Sequence, residues 1–416
     1  MLPNMSSTLT YLLHQIWENC ISRYQKSILE LWPHTSSLEW KLKLLLAMRT
    51  LQQQQQDCTA MQQPLGSVAK LVASGIQEVP PMFRVKSKIQ QGYCTTNACD
   101  DDDDEESTIP VIDFTGFHLT ERRPLILQQI RRASKDWGFF QIINHGVPPA
   151  LLNDILHTHK EFFEMPLEEQ MKYYSKDTNA PFKFSVVPLL PPHLIQPWKD
   201  GLTVIYSKGM DTTYWPTKPT TFIDVTLRYN EAVNVLKREL LSALSESLGL
   251  QSSFIDDLCG EFQKSNSNYY PPCPEPQYAF GARPHSDPTT ITLLLQDHVG
   301  GLEVRDKHGE WMQVKPIPHA FVINLGDQLE IISNGRYKSV EHRVTVNSNT
   351  ARISFATFIY PSKTTKVGPP LELVNLEEGE PYKDFIYGDY LAEFVAFGIK
   401  GKRFIDHVKT TGLHYN

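Results

Sequence analysis

The 416-residue sequence has little cysteine, no long apolar run and no excess of basic residues. Its six cysteines form no closely spaced metal-type pair, so free thiols in a reducing compartment are expected rather than a zinc site. No apolar stretch approaches the ~18 residues of a membrane span. The first thirty residues also lack the basic-then-apolar pattern of a secretion signal. We therefore expect no membrane association and a cytoplasmic location, with the nucleus as a second location.

The net charge of −7 at pH 7 has one local source. Residues 100–106 are seven consecutive acids, which leaves the remainder of the chain neutral. A nucleic-acid-binding domain would need a basic face, so we expect no nucleic-acid partner. Hydrophobic residues at 41% and charged residues at 21% are ordinary for a globular protein, and we expect a monomer.

Composition and pattern divide the chain into five segments. Residues 1–60 contain a glutamine run and form an extension that we expect to be dispensable, with Met61 as a candidate start; a partner-binding arm is the alternative. The other four segments are an N-terminal segment with a solvated polar linker from residue 86 into the acidic run (61–106), an N-terminal region of the main fold (107–250), a β-rich core (251–365) and a C-terminal helical closure (366–416).

Helical patterns precede a region of short strands. Apolar residues recur at spacings of three and four over 220–248. A second helix is predicted over 124–135, with Leu125, Ile126, Ile130 and Ala133 facing inward. From residue 267 onward, short β-type segments are separated by turn signals such as Gly300-Gly301. We therefore expect a mixed α/β fold, with a double-stranded β-helix (jelly-roll, cupin-like) core braced by helices.

Two histidines and one aspartate form the strongest candidate site. His285 and Asp287 are one residue apart, and His342 follows fifty-seven positions after His285. Two imidazoles and a carboxylate, with no cysteine, suit a ferrous ion that keeps open positions for oxygen and a co-substrate. A closed structural zinc site would need a fourth ligand. Either histidine alone would more often be structural, so the prediction depends on the three occurring together with a second feature.

That second feature is an arginine and a serine on one face of the next predicted strand. Arg352 and Ser354 are two residues apart, so both side chains point the same way. His342 likewise shares its face with three valines, which directs it into a core or cavity. An inward arginine is costly unless it meets an anion, and its planar fork binds carboxylates. The pattern indicates an enzyme that holds a keto acid on iron.

Seven motifs occur in the order and spacing of a known family. They are Asn-Tyr-Tyr-Pro-Pro-Cys-Pro at 268–274, Pro-His-Ser-Asp at 284–287, Gly-Gly-Leu at 300–302, Asn-Leu-Gly-Asp at 324–327, Ser-Asn-Gly at 333–335, Lys-Ser-Val-Glu-His at 338–342 and Arg-Ile-Ser at 352–354. With them the chain resembles, over residues 68–408, the plant soluble 2-oxoglutarate- and iron-dependent dioxygenases. That family includes anthocyanidin synthase, flavonol synthase and feruloyl-CoA 6-hydroxylase.

The resemblance implies a role for each residue of the site. His285, Asp287 and His342 would bind Fe(2+), while Arg352 and Ser354 would hold the distal carboxylate of 2-oxoglutarate. Ascorbate is expected as reductant, and O2 and a small-molecule substrate as partners. The expected reaction is hydroxylation of a small molecule of plant specialised metabolism, with release of succinate and CO2. Aromatic or phenolic compounds rank first as substrates and hormone-like acids second, and desaturation, demethylation and ring closure stay open.

Other residues are less well defined. Tyr270 would also bond 2-oxoglutarate by resemblance, although it could instead pack in the barrel wall. Phe358 and Tyr360 are candidates for the substrate-pocket wall. Phe184, in the proline- and aromatic-rich stretch 180–216, could contact substrate or simply pack.

The Asn-His-Gly motif around His145 is expected to be structural rather than metal-binding, and Phe394 and Phe397 are candidates for the inner face of a closing C-terminal helix.

Two other classes of function are compatible with these motifs. One is an enzyme like 1-aminocyclopropane-1-carboxylate oxidase, which shares the triad and clamp but is driven by ascorbate without 2-oxoglutarate. The other is a non-catalytic ligand sensor on the same barrel, which would not need to keep both the triad and the clamp. Succinate formation and oxygen uptake would separate the three.

Overall fold

Two β-sheets, packed face to face, carry the central side chains of the structure. In this computed structural model the described residues are 66–93, 108–177, 180–187, 194–260, 263–374, 382–397 and 404–411. All of them belong to one unit, residues 64–416. The extension 1–60, the acidic run, and Cys94 and Cys99 lie outside the described residues. Across these ranges no helix combines the length and apolar character needed to cross a membrane.

Fourteen strands occur within the described ranges. They are β1 (Val111–Asp113), β2 (Phe139–Ile143), β3 (Phe182–Ser185), β4 (Asp200–Tyr206), β5 (Gln263–Tyr270), β6 (Phe280–His285), β7 (Ile291–Gln296), β8 (Leu302–Arg305), β9 (Trp311–Gln313), β10 (Phe321–Leu325), β11 (His342–Thr345), β12 (Arg352–Ile359), β13 (Lys366–Val367) and β14 (Phe385–Ile386). The larger sheet has the order β1-β2-β10-β7-β12-β5-β4-β3, the smaller one β6-β11-β8-β9, and β13 pairs with β14.

Nine α-helices accompany the strands in the described part of the chain. They are α1 (Val68–Ala73), α2 (Arg123–Asp136), α3 (Pro149–Glu164), α4 (Leu167–Met171), α5 (Phe222–Ser247), α6 (Phe254–Leu258), α7 (Asp327–Ile332), α8 (Tyr387–Phe397) and α9 (Phe404–Thr411). The expected mixed fold, a jelly-roll core braced by helices, is confirmed.

The long helix α5 braces one face of the larger sheet. Its buried residues Val225, Tyr229, Val233 and Leu236 follow the predicted spacing of three and four. They join apolar residues of β7, β10 and β12 and of α2 and α3 in one core. Of the inward residues predicted on α2, Ile126, Ile130 and Ala133 are buried, whereas the Leu125 side chain is 54% exposed. The three buried residues are spaced by four and three and form one stripe, and Leu125 lies about 100° around the helix from Ile126, outside that stripe.

A second apolar core lies between the two sheets. It combines Val322 of β10 with Leu302 and Val304 of β8 and with Val344 of β11. The larger sheet therefore has apolar contacts on both faces, which explains why all five residues of β10 are buried. The space between the sheets is where the inward faces of β6, β11 and β12 meet.

The segment before the first sheet strand is tied to the barrel by Asp200. This buried carboxylate accepts hydrogen bonds from the Ser67 hydroxyl and from the backbone N–H groups of Val68 and Ala69, at 2.6–3.0 Å. These N–H groups are the unpaired donors at the start of α1, and a carboxylate there also meets the positive end of the helix dipole.

The polar stretch after residue 86, which the sequence places in a solvated linker, is partly packed on the smaller sheet. The Tyr93 N–H donates to the Trp311 carbonyl at 3.0 Å, and the Gln313 N–H donates to the Tyr93 carbonyl at 2.9 Å. The Gly92 N–H donates to the buried Glu303 carboxylate at 2.9 Å. The linker prediction was therefore wrong for residues 92–93, because the unpaired edge of β9 offers backbone partners that a local sequence pattern does not reveal.

The C-terminal helices pack on each other beside β13 and β14. Phe394 and Phe397 of α8 contact the Phe404 ring at 5.7 and 5.2 Å between centroids. Their shared partner is therefore α9. Tyr390 of α8 instead reaches inward, and its hydroxyl donates to Asp327 at 2.9 Å.

One buried histidine makes stability depend on pH. His159 of α3 is fully buried between Phe222 and Phe355. Burial lowers the pKa of His159 to about 3, whereas in the unfolded chain it is about 6.5. Below pH 6.5 the unfolded state therefore binds one more proton than the folded state. The stability contributed by neutral His159 is complete above pH 6.5 and is lost progressively towards pH 3.

We predict that His159→Gln reduces the loss of stability on acidification. Between pH 7 and pH 5 the free energy of unfolding should fall by about 2 kcal/mol less in the variant than in the unsubstituted protein. Urea titrations at the two pH values measure this difference. His157→Gln, on the exposed side of the same helix, controls for loss of a histidine. An equal fall in both proteins would contradict the assignment.

Candidate metal centre and co-substrate pocket

Antiparallel pairing of β6 and β11 brings the three predicted ligands together. His342 lies directly opposite His285 in the register, and Asp287 follows two residues after β6 ends. Asp287 Oδ1 lies 3.6 Å from His285 Nε2 and 3.7 Å from His342 Nε2. The three ligand atoms are all within 4.8 Å of one another. That spacing allows one metal ion to contact all three, on one side of its coordination sphere.

Each histidine is oriented by a carbonyl of its own chain segment. His285 Nδ1 lies 2.7 Å from the Arg283 carbonyl oxygen, and His342 Nδ1 lies 3.2 Å from the Val340 carbonyl oxygen. A carbonyl can only accept, so each Nδ1 carries the proton and donates it there. The lone pair of each Nε2 is then directed at the space beside Asp287. Metal-binding histidines are commonly fixed in this way.

The carboxylate of Asp287 is held through one oxygen. Its Oδ2 accepts hydrogen bonds from the Thr292 hydroxyl at 2.7 Å and from the Asn324 amide at 2.8 Å. Oδ1 is thereby left facing the two histidines. Both donors are buried on the central strands β7 and β10, so the carboxylate position is rigidly defined.

The electrostatics favour the protonation states that a metal needs. Burial alone would raise the pKa of Asp287, but the charges of His342 and His285 and the two hydrogen bonds outweigh it and lower the pKa. For His285, burial and then the neighbouring His342 lower the pKa to about 4. Near neutral pH Asp287 is therefore an anion and His285 is uncharged, as metal ligation requires.

A second buried carboxylate joins the segments that carry the ligands. Asp327 accepts a hydrogen bond from Ser339 at 2.6 Å, just before β11, and contacts the Ser286 hydroxyl at 3.4 Å, between two of the ligands. It also accepts from the Tyr390 hydroxyl of α8. Asp327 therefore links both halves of the triad to the C-terminal helix.

The predicted clamp is a buried guanidinium that has no acidic partner among the described residues. Arg352 is only 2% exposed, and it donates to Ser354 Oγ at 3.3 Å and to Gln296 Oε1 at 3.0 Å. Its Nε has no hydrogen-bond partner among the described residues. A buried cation in this state is costly unless an anion joins it. The arrangement fits a carboxylate group of 2-oxoglutarate.

Tyr270 completes this wall of the pocket. It is buried opposite Arg352 in the register of β5 and β12, and the guanidinium carbon lies 5.0 Å from the centre of its ring. The ring packs directly on Gly281, where a Cβ atom would lie 2.7 Å from it. Only glycine at position 281 therefore allows Tyr270 this place beside Arg352.

The remaining predicted residues fall into two groups. Phe358 lies on the inner face of β12 opposite Lys264. Tyr360 packs beside Tyr387, and burial and then the charge of Asp287 raise the pKa of its hydroxyl. Both stay candidates for the substrate-pocket wall. Phe184, by contrast, is fully buried in an aromatic cluster with Phe162 and Phe163 on the helical side of the sheet.

His145 is structural, as expected. Its Nε2–H donates to the His319 carbonyl at 2.8 Å, and Nδ1 accepts from the Val147 N–H at 3.3 Å. Both ring nitrogens are therefore occupied by the backbone, and neither is directed at the triad.

The side chains that support the site were not predicted as such from the sequence. Thr292, Asn324 and Gln296 hold Asp287 and Arg352, but Asn324 was named only as the first residue of a family motif and the other two were not named. Each is a polar residue in an otherwise apolar central strand. A buried polar group needs a partner, so these three exceptions were the signal that could have revealed them.

The site combines two histidines and one carboxylate on one side of a metal position with a buried arginine clamp, inside a jelly-roll core. This combination defines the class of non-haem iron oxygenases that use a 2-oxo acid. Comparison with known proteins agrees. Residues 262–361 match the family profile described as the 2OG-Fe(II) oxygenase superfamily. Residues 109–222 match the profile described as the non-haem dioxygenase in morphine synthesis N-terminal region.

Individual relatives are similar over most of their length. The chain is 41% identical to the protein DMR6-LIKE OXYGENASE 1 of Arabidopsis thaliana over 69% of this chain and 82% of that protein. It is 35% identical to flavanone 3-dioxygenase 2 of Oryza sativa subsp. japonica over 71% of this chain and 85% of that protein. The crystal structure of JOX2 in complex with 2OG, Fe and JA superposes with a TM-score of 0.68 at 31% identity, covering 80% of this chain and 94% of that one.

The chain therefore belongs to the 2-oxoglutarate- and Fe(II)-dependent oxygenase superfamily, among its plant members. It is a dioxygenase that oxidises a small organic molecule with O2. Fe(2+) is its cofactor and 2-oxoglutarate its co-substrate. The resemblance stated from the motifs is confirmed at the level of the family.

We predict that Thr292→Val and Asn324→Leu weaken metal binding. Each removes one hydrogen bond to Asp287 Oδ2 while keeping a similar side-chain volume, and loss of such a supporting partner typically costs 10–100-fold in metal affinity. Isothermal titration with Mn(2+), an air-stable substitute for Fe(2+), measures the change. Thr345→Val on β11 is the matched control, because its hydroxyl bonds to Gly301 and not to the triad. Unchanged affinity in both test variants would contradict the role of these bonds.

Proposed function

We propose that His285, Asp287 and His342 bind the Fe(2+) ion, and that Arg352 and Ser354 bind the distal carboxylate of 2-oxoglutarate. The observation that supports this most strongly is the combination of three convergent ligand atoms with a buried arginine that has no acidic partner in the described ranges. Tyr270, stacked beside Arg352, is proposed as a further co-substrate contact. We also propose the five-segment division of the chain made from its sequence.

The protein's part in the reaction is binding and orientation. Bound iron supplies the redox chemistry by which 2-oxoglutarate is decarboxylated to succinate and CO2 while oxygen from O2 is inserted into a C–H bond of the substrate. Arg352 and Ser354 fix the far end of the keto acid, so that its other end has one orientation towards the triad. The Nδ1–H bonds of His285 and His342 keep both ligands in the metal-binding tautomer.

Hydroxylation of a small molecule of plant specialised metabolism is the proposed activity. The similarity to a flavanone dioxygenase and to a structure holding JA supports the two expected substrate classes, aromatic or phenolic compounds and hormone-like acids. We further propose ascorbate as the reductant, a monomeric state and a cytoplasmic location.

The test is product analysis with a plant extract. Purified protein with Fe(2+) and ascorbate is incubated with the extract, with and without 2-oxoglutarate, and products and succinate are followed by mass spectrometry. New oxygenated products and succinate that require 2-oxoglutarate support the proposal. Oxidation that needs ascorbate but yields no succinate would indicate the oxidase-like alternative. Ligand binding without oxygen uptake would indicate a sensor.

We predict that His285→Ala and Asp287→Ala abolish turnover but leave a folded barrel. The metal in this proposal is catalytic, and the two sheets are held by apolar cores that do not include these side chains. Succinate formation and thermal unfolding are measured together. His118→Ala, an exposed histidine, controls for substitution itself. Loss of the folded state in the ligand variants would show that the metal is structural.

We predict that Arg352→Lys raises the apparent KM for 2-oxoglutarate. A lysine keeps the positive charge but cannot make two parallel bonds to a carboxylate, so a rise of about tenfold or more is expected. Steady-state succinate formation at varied 2-oxoglutarate gives the value. Arg123→Lys, in a surface ion pair with Glu246, is the control. An unchanged KM would count against the clamp.

A further inference from the structure

A cleft of about 320 Å³ opens beside His285 and is lined by positive charge. Lys183, Lys199, Lys264 and Arg283 all contribute to its walls, and none of the residues lining it is acidic. The inner faces of β3, β4 and β5 form one wall and β6 the other. The cleft therefore joins the triad at one end to a group of cations.

Lys264 is the least compensated of these cations. Its backbone is paired with β4 and β12, but its half-buried ammonium makes no hydrogen bond or ion pair with the described residues. Burial lowers the pKa of the Lys264 ammonium, and the charges of Lys183 and Lys363 lower it further. The surrounding protein therefore destabilises the charged form of this side chain rather than stabilising it.

Lys183 approaches the same region from β3. It pairs with Thr203 of β4, which pairs with Asn266 of β5, so the side chains of Lys183 and Asn266 are on the same face of the sheet. Burial lowers the pKa of Lys183 as well. Its ammonium donates to the Asp177 carbonyl at a long distance of 3.4 Å. The charge of the exposed Asp177 raises the pKa of Lys183 and so offsets part of this lowering, but Asp177 does not line the cleft. Two ammonium groups thus share a partly dehydrated surface, with no acidic residue among the described residues that line it.

The other two cations have protein contacts and different positions. Lys199 donates to the Asn268 side chain at 2.7 Å, next to Ser354 in the register of β5 and β12. Arg283 precedes His285 by two residues, and its carbonyl orients that histidine. These two cations lie towards the triad and the clamp, whereas Lys264 and Lys183 lie further out.

Like charges held together in a half-buried cleft are unfavourable. An anionic ligand would reverse this, because each ammonium would gain a charge-assisted hydrogen bond. Lys264 is four residues from Asn268, which at about 3.3 Å per residue places it about 13 Å further along the strand. An anion bound there would be separate from the carboxylate of 2-oxoglutarate at Arg352.

We propose that the organic substrate is a carboxylate, and that Lys264 and Lys183 bind its acid group while the carbon to be oxidised lies at the His285 end of the cleft. This inference rests on the proposed function and specifies its substrate class. It favours acids over the neutral phenolic compounds that the sequence ranked first.

The test is a retention experiment with matched acids and esters. Metal-free protein is dialysed against a pool of aromatic, cinnamic and alicyclic carboxylic acids together with the methyl ester of each, and retained compounds are quantified by mass spectrometry. At least one acid should be retained about tenfold or more above its ester, since a charge-assisted bond is lost in the ester. Equal retention of an ester, or retention of no acid, would overturn the proposal.

Variants locate the acid group. Lys264→Gln and Lys183→Gln should each reduce retention of the acid about tenfold and leave that of the ester unchanged. Lys135→Gln, an exposed lysine of α2 remote from the cleft, is the matched control. Saturating 2-oxoglutarate should not displace the acid; displacement would place it at Arg352 instead and contradict the assignment. If neither Lys264→Gln nor Lys183→Gln changes the retention of the acid, that result would also contradict the assignment.

Failure of the carboxylate-substrate proposal can be distinguished from failure of the proposed oxygenase function. Retention is measured without iron, whereas 2-oxoglutarate turnover is measured with it. A protein that forms succinate but retains no acid would refute the substrate class alone. A protein that retains acids through Lys264 but never consumes 2-oxoglutarate would refute the oxygenase reaction alone.

Discussion

The pairing of His285 with His342 across β6 and β11 is the constraint on which the site depends. Directly opposite residues on one face of antiparallel strands have Cβ atoms about 5 Å apart, which is close enough for two imidazoles to share one ion. A slip of one residue would turn one histidine to the opposite face. The apolar neighbours of His342 on its own face, Val344 among them, hold the register because they must remain between the sheets.

Around this pairing the barrel interior holds charges that a simple apolar core would exclude. Asp287, Asp327 and Arg352 are all buried, and each is stabilised by side chains on central strands or adjoining helices. Asp327 and the Oδ2 atom of Asp287 accept hydrogen bonds from side chains, whereas Arg352 and the outer Lys264 are left with unused capacity. Transferring a charge from water into the protein interior is costly. The cations without a compensating anion therefore mark the places where anionic ligands are expected. The pocket is in this sense incomplete without its co-substrate and substrate.

Much of the fold and of the candidate site could be predicted from the sequence. The features that could not be predicted have physical reasons. The convergence of His285, Asp287 and His342 and the burial of Arg352 could be predicted because their alternation and spacing are local signals, and α5 because its apolar spacing is regular over 26 residues. Phe184 could not be placed, because a short strand with polar and aromatic residues on opposite faces does not reveal which face meets the cavity; its neighbour Lys183 lines the cleft instead. Supporting residues such as Asn324 depend on contacts across the sheet that no single segment encodes.

The backbone bonds between Tyr93 and β9 have a consequence for the molecule as a whole. An open sheet edge is a template onto which the strand of another copy can add, and β9 would otherwise be such an edge of the smaller sheet. Because the chain fills this edge with its own backbone, growth of that sheet from one copy to the next is blocked there. The stretch around Tyr93 thus protects the sheet that carries His285 and His342 from self-association at this edge.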